Sequence, residues 1–354
     1  VVSAGIKNRF SGRKVFLTGH TGFKGAWLAV WLESLGADVT GFALAPYDVR
    51  GNLFKSAGLA KRLKHIEGDL RDMDAVSKAL QQSDADIVFH LAAQPIVIDS
   101  YTDPVGTFAS NAMGTAHVLE AVRKSGHVKT VIAVTSDKCY ENNEQGRAFL
   151  ESDPLGGHDP YSASKAATEI VVHSYRRSFL EPAGIKCATV RAGNVIGGGD
   201  FAPHRVIPDI VEAIGKNEPV VLRNPRAVRP WQHVMDALHG YMLLADALEA
   251  GVKVQSAYNF GPAEDEPVMD VEALVKAFIS RMGQGSYQIE QNANAPHEAK
   301  MLRLDPRAAM RDLSWTPKYS AEQAAAVSAA WYKAFVDGGN AYDLVRADLD
   351  RFQA

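Results

Sequence analysis

The segment KVFLTGHTGFKGAWLAVWLESLG, residues 14–36, constrains the fold more tightly than any other part of the chain. An apolar run of strand length passes directly into glycines at 19, 22 and 25, and these lead into a helical pattern. Strand, glycine turn and helix in that order open a βαβ unit, because glycine allows a sharp reversal and a close approach of backbone to whatever lies opposite. Free amides at the helix start, together with the helix dipole, attract phosphate. The turn therefore predicts a dinucleotide site built from Gly19, His20, Thr21, Gly22, Phe23 and Gly25.

The alternation continues along the chain. ADVTGFAL, ADIVFHLAA, TVIAVTS and KCATVRAG read as strands, with helical patterns at DMDAVSKALQQS, VGTFASNAMGTAHVLEAVRKS and SASKAATEIVVHSYRRSFLE. This predicts an α/β fold, a Rossmann-type doubly wound parallel sheet of at least six strands. After Gly193 the texture changes to loops and shorter elements. Residues 1–192 are expected to form the NAD-binding domain, and 193–354 mainly a smaller C-terminal α+β substrate lobe with some segments returning to the first domain.

Bulk properties exclude several partners. A net charge of −3 over 354 residues exerts no long-range pull on nucleic acid or an acidic membrane, so any bound anion must be gripped by local cations or amides. Cys139 and Cys187 stand apart, without a second thiol or histidine at zinc spacing, which argues against a disulfide framework or a structural metal. No stretch approaches the ~20 apolar residues of a membrane span, and the N-terminal residues carry no apolar segment. A soluble, uncleaved, cytoplasmic protein is expected.

Further strand ends agree with a dinucleotide. Asp69 and Leu70 are placed to meet an adenine, while Leu91, Ala92, Ala93 and Gln94 offer small side chains beside a flat ring. The second strand ends in FALAP without the acidic residue that usually meets a ribose hydroxyl, and Arg50 nearby keeps a ribose phosphate open. NAD is the reading adopted.

Two motifs carry chemistry. TSDK, residues 135–138, sits where TVIAV runs out, and PYSASK places Tyr161 and Lys165 four apart, on one face of a helix. Turns collect Ser, Asp and Lys, and a surface helix can begin with Tyr and Lys, so each motif alone has an ordinary explanation. Together with GxxGxxG they resemble the extended short-chain dehydrogenase/reductase family over nearly the whole chain. That resemblance implies that Ser136 bonds a sugar hydroxyl, Tyr161 transfers its proton, and Lys165 contacts the ribose and adjusts the phenol. It also implies cofactor contacts from Asn111, Thr135, Tyr161 and Lys165.

An acid and a base directly after the hydroxyl resemble the sugar-nucleotide 4,6-dehydratases. Asp137–Lys138 with GHTGFKG, LAAQP, TSDKCYEN, NVIGGGD, RPWQHV and PHEA is similar to their CDP-D-glucose branch. The resemblance implies a neutral Asp137 that protonates the departing C6 hydroxyl and a neutral Lys138 that removes the C5 hydrogen. It implies a tightly held NAD recycled in every turnover, and a product used for lipopolysaccharide or secondary-metabolite deoxysugars. It puts Asn194, Arg205, Val206, Arg229, Asn259 and His297 around the substrate, and a homodimer contact on helices beginning near Val105 and Tyr161. The branch pattern is broken at IVIDSY and FAPHR, which leaves GDP-, dTDP- or UDP-linked sugars open. Epimerisation, or NAD binding without turnover, are the other readings.

Overall fold

A computed structural model describes residues 6, 8–47, 49, 51–142, 146–263, 265–290 and 301–354; Arg50 and His297 lie outside them. The strands are β1 (Lys14–Thr18), β2 (Asp38–Ala43), β3 (Lys64–Glu67), β4 (Ile87–His90), β5 (Thr130–Val134), β6 (Lys186–Ala192), β7 (Val195–Ile196), β8 (Val220–Leu222), β9 (Gln232–His233), β10 (Ala257–Phe260) and β11 (Tyr287–Ile289). Seven of them form one sheet in the order β10-β6-β5-β4-β1-β2-β3. Every pairing in it is parallel. The doubly wound fold expected from the strand and helix alternation is therefore present. The sheet also gains a seventh strand, β10, from the chain beyond Gly193.

The principal helices are α1 (Phe23–Ser34), α2 (Met73–Ser83), α3 (Gly114–Ser125), α4 (Pro160–Tyr175), α5 (Val206–Lys216), α6 (Val234–Glu249), α7 (Val271–Met282), α8 (Arg307–Leu313), α9 (Ala321–Val336) and α10 (Ala341–Gln353). Neighbouring residues of a strand point to opposite faces, and β1 shows the consequence. Val15 and Leu17 join a core with Trp27 and Trp31 of α1 and Tyr241 of α6. Phe16 joins a second core with Val76 and Leu80 of α2 and Val118 and Leu119 of α3. Burial on both faces is what lets the central strands be apolar almost throughout.

Local chemistry sets where α4 begins. Asp159 accepts the Ser162 amide at 2.9 Å, and Pro160 occupies the first turn, where a missing N–H costs nothing. Tyr161 is thereby fixed at the start of the helix. Two small parallel sheets, β8 with β11 and β7 with β9, organise the segment after β6. Among the described residues no helix is long and apolar enough to cross a membrane, and no His, Cys, Asp and Glu group could hold a metal ion. Cys139 and Cys187 are free and buried.

The seventh strand makes a packing demand of its own. A Cβ added at Gly240 of α6 would lie 2.3 Å from the Phe260 ring of β10. Alanine normally improves a helix interior by about 1 kcal/mol over glycine. At this position overpacking should outweigh that gain, and Gly240→Ala is expected to lose about 1–3 kcal/mol in urea unfolding. A stabilised variant would contradict the close seating of α6 on β10.

Candidate active site

The three turn glycines have different reasons. Gly19 has φ +79°, and a Cβ there would lie 2.7 Å from the Ala92 amide nitrogen at the end of β4. A Cβ at Gly25 would lie 2.1 Å from the Gly19 carbonyl oxygen. The turn cannot close without either glycine. Gly22 differs, with φ −86° and an added Cβ meeting nothing nearer than the Gly19 oxygen at 3.4 Å. No side chain caps α1 and no acidic residue stands in its first turn. Bare backbone at a helix start, beyond what the fold itself requires, fits a pyrophosphate. Half-buried Ala92 and Ala93 beside it leave a flat ring room.

The turn bearing Ser136, Asp137 and Lys138 comes after β5. Ser136 caps a short helical turn, Asp137–Cys139, by accepting the Lys138 amide at 3.2 Å, and its hydroxyl donates to Asp137 Oδ1 at 3.0 Å. Asp137 is 3% exposed, and its Oδ2 has no hydrogen-bond partner among the described residues. Burial pushes this carboxyl above the usual range, although Lys138, Ser136, Arg229 and Lys24 all pull the other way. Desolvation wins, so the acid form is favoured beyond what an exposed aspartate shows. Lys138 beside it is half-buried.

Tyr161 faces this turn. Its amide donates to Ser100 Oγ at 3.2 Å, and its phenol interacts with the Ser136 hydroxyl. Burial pushes the phenol up to about 12, with Ser136 and Arg205 pulling down and Asp137 adding to the rise. Lys165, one turn further along α4, is driven down to about 7 by burial, with Lys24 contributing. Desolvation acts on both groups and weakens the help expected from Lys165 to the phenolate.

Positive charge surrounds the acid. Burial and the nearby Arg205 lower Lys24 to about 8, against the pull of Asp137 and Asp200. Arg205 donates to Asp200 at 3.0 Å, and Asp200 is itself 4% exposed. Arg229 is buried, donates to the Val228 carbonyl at 2.9 Å, and acts on Asp137. Lys24, Lys138, Lys165, Arg205 and Arg229 therefore converge on Asp137 and Tyr161, directly or through one another.

Other residues singled out in the sequence take different places. His20 turns under the sheet, where its Nε2 meets His65 Nδ1 at 2.7 Å and its ring fills the space a Cβ at Gly41 would need. Only its backbone is left for a cofactor. Thr21 donates to the Leu44 carbonyl at 3.0 Å, and Phe23 packs at the edge of the core. Asp69 is paired with Arg71 at 2.6 Å, while Leu70 packs against Gly114. Leu91 takes a hydrogen bond back to β1, its amide donating to the Thr18 hydroxyl at 3.1 Å. Asn111 receives the Gln94 amide at 2.7 Å and donates to Ser164 Oγ at 2.8 Å, tying the β4 loop to α4. Thr135 donates to Glu169. Asn194 is half-buried beside β9, its carbonyl accepting the Gln232 amide at 3.1 Å, and Val206 opens α5. Asn259 is the clearest difference from the sequence reading. Instead of lining a pocket it is fully buried, donating to the Phe149 carbonyl at 2.9 Å and accepting from Tyr140 at 2.7 Å.

Glycine turn, hydroxyl, phenol and buried acid thus stand along one edge of a parallel sheet. A sequence model of the family described as GDP-mannose 4,6 dehydratase matches residues 16–327. The chain belongs to that family. It is 42% identical to a CDP-glucose 4,6-dehydratase of Salmonella typhimurium, over 94% of each chain. A dTDP-glucose 4,6-dehydratase of Xanthomonas campestris is 27% identical, over 89% of this chain and 92% of its own. Among solved structures, Thermus thermophilus UDP-glucose 4-epimerase in complex with NAD superposes with TM-score 0.77 at 26% identity, covering 90% of this chain and 98% of that one. The fold also matches a Streptomyces venezuelae dTDP-glucose 4,6-dehydratase, with TM-score 0.77 at 24% identity over 90% and 96% of the chains.

For this family member the sequence reading missed Lys24 and Asp200. Lys24 occupies a variable place between two motif glycines, and a lysine there next to a phosphate-seeking turn was the available signal. Asp200 ends the GGGD run, which marked a loop without showing that its carboxylate would meet Arg205.

This geometry has two measurable outcomes. Gly22→Ala should stay within about 1 kcal/mol of the parent in stability yet lose about tenfold in NAD affinity, because the added methyl stands where the pyrophosphate approaches the backbone; Gly25→Ala should fail to fold well. Equal NAD affinity in Gly22→Ala would remove the pyrophosphate from this turn. The second outcome concerns pH. Lys165 holds its proton to the ordinary 10.5 when unfolded but only to about 7 when folded, so the unfolded chain binds more protons between those values. Stability of the unliganded protein should rise with pH across that window, and the penalty should be complete below it. Lys165→Met should melt higher than the parent at pH about 7, with the gap closing towards 10.5.

Proposed function

We infer that the protein is an NAD-dependent lyase that converts CDP-D-glucose to CDP-4-dehydro-6-deoxy-D-glucose. The observation that carries this reading is Asp137, a buried carboxyl held towards its neutral form, with one oxygen unpartnered, next to the hydroxyl that meets Tyr161. Inverting a carbon through a ketone needs the hydroxyl, phenol and lysine but gives a buried acid nothing to do. Removing a C6 hydroxyl does need one. The Salmonella relative supports CDP-glucose as the substrate.

NAD held against the backbone of the turn Gly19, Gly22 and Gly25 would supply a reversible hydride carrier for C4 and C6. Ser136 holds the C4 oxygen while Tyr161 takes its proton. With C4 a ketone, the C5 hydrogen is acidic, and Lys138 is the base beside it, taking that proton and giving it back to C5 after the water has left. Asp137 protonates the C6 oxygen, which leaves as water. Arg229 and Arg205, with Asn194, meet the diphosphate, whose negative charge balances the cations gathered there.

A homodimer fits the surface as well. Tyr101, Val105, Met113, Ile170 and Phe179 leave between 43% and 78% of their area exposed on the helical segments from Val97 to Leu180. A second copy covering these faces would form a four-helix contact.

Mass spectrometry of products from CDP-, dTDP-, UDP- and GDP-linked hexoses tests the reaction. CDP-glucose should lose one water with no net use of NAD, and Asp137→Asn should slow this at least about a hundredfold. A product of unchanged mass, epimeric with the substrate, would defeat the dehydratase reading.

A further inference from the structure

The turn bearing Ser136, Asp137 and Lys138 starts at Thr135 and ends at Tyr140, and both ends run into one buried ion pair. Glu169 of α4 lies eight residues beyond Tyr161 and four beyond Lys165, so all three share a helix face. Its carboxylate accepts the Thr135 and Thr189 hydroxyls. It also accepts Arg191 Nε at 2.9 Å and Nη2 at 2.8 Å. The remaining Nη1 of Arg191 donates to the Tyr140 phenol at 2.7 Å and to the Glu151 carbonyl at 3.0 Å. Tyr140 passes the contact on, donating to Asn259 of β10 at 2.7 Å. Both charged side chains are 5% exposed.

A buried ion pair is a poor way to gain stability, since well-packed apolar groups often do as well or better. What a planar fork on a carboxylate provides is fixed geometry, provided every donor and acceptor is satisfied. Here both oxygens of Glu169 and all three nitrogens of Arg191 have at least one partner, and four of the five guanidinium N–H groups are used. The groups so joined are the first and last residues of the turn and the helix that presents the phenol.

We propose that Glu169 and Arg191 are positioning residues, which pin both ends of turn 135–140 to the helix face carrying Tyr161 and Lys165, so that acid, base and phenol reach one sugar ring together. This rests on residues 136–138 being the reacting turn. Thr135→Val removes one anchor while leaving the ion pair in place, and Tyr140→Phe removes the other. Either variant should fold, keep KM for CDP-glucose within about twofold, and lose about ten- to a hundredfold in kcat, as small misplacements of reacting groups do. Elimination uses two groups of the turn and oxidation only one, so reduced nicotinamide should build up during a single turnover. Thr135→Ser, which keeps the hydroxyl, should restore kcat. A purely structural role predicts instead a lower melting temperature with unchanged kcat. Unchanged kcat in Thr135→Val, or a crystal structure of that variant with Ser136 to Lys138 unmoved against Tyr161, overturns the proposal. If the parent itself does not act on CDP-glucose, the functional reading fails while the crystal structure still decides the positioning claim.

Discussion

Parallel pairing of β1, β4, β5 and β6 decides where chemistry can stand in this molecule. Thr18 is level with His90, His90 with Ala133, and Ala133 with Thr189. The chain therefore leaves all four strands along one edge, and each strand gives way there to a turn that the sheet does not use. Gly19, Leu91, Thr135 and Gly193 begin those turns. In open parallel sheets ligands bind outside the carboxyl ends of strands, because those turns are the only backbone free to take special shapes. Hydrogen bonds between the strand ends add rigidity, with the Thr18 hydroxyl accepting both the Leu91 and Ala92 amides at 3.1 Å.

Electrostatics at that edge runs against the protein as a whole. The chain carries a net charge of −3, yet five cations crowd round Asp137 and Tyr161. Their mutual repulsion and burial are visible in Lys24 and Lys165, both held below the ordinary lysine range. Such a pocket favours anions, and each of the two diphosphates of the proposed reaction would offset its positive charge. The absence of any long-range pull makes this local grip the whole of the recognition.

Much of this was legible in sequence because it is local. Five residues of strand, a glycine triplet and an amphipathic run succeed one another without interruption, and Tyr161 and Lys165 sit one helical turn apart, so spacing alone places them. Side-chain direction across the sheet was harder. His20 lies inside the glycine motif, but whether it faces a cofactor or the core depends on Gly41 of the next strand leaving a space for its ring. Asn259 is level with Arg191, a register set by β10 joining β6 across a long stretch of chain that no period reveals. Glu169 and Arg191 were equally hidden, since an acid late in a helix and an arginine within a strand each look ordinary until the two elements are packed together.

The balance of these forces explains why the chemistry should wait for its ligands. Burial holds Tyr161 up at about 12 and Lys165 down at about 7, so at neutral pH the phenol keeps its proton. Burial, which makes Asp137 a usable acid, is the same effect that makes Tyr161 a poor base. One desolvated pocket would therefore favour the proposed elimination step unaided but not the oxidation step. Tyr161 gains base character when a further positive charge joins Arg205 and Ser136 on the side that favours phenolate, and a nicotinamide ring in its oxidised form carries that charge. Under the proposed function one pocket thus has to hold an acid neutral and, with the cofactor's charge beside it, ionise a phenol, a pair of demands that a single hydride transfer would not make.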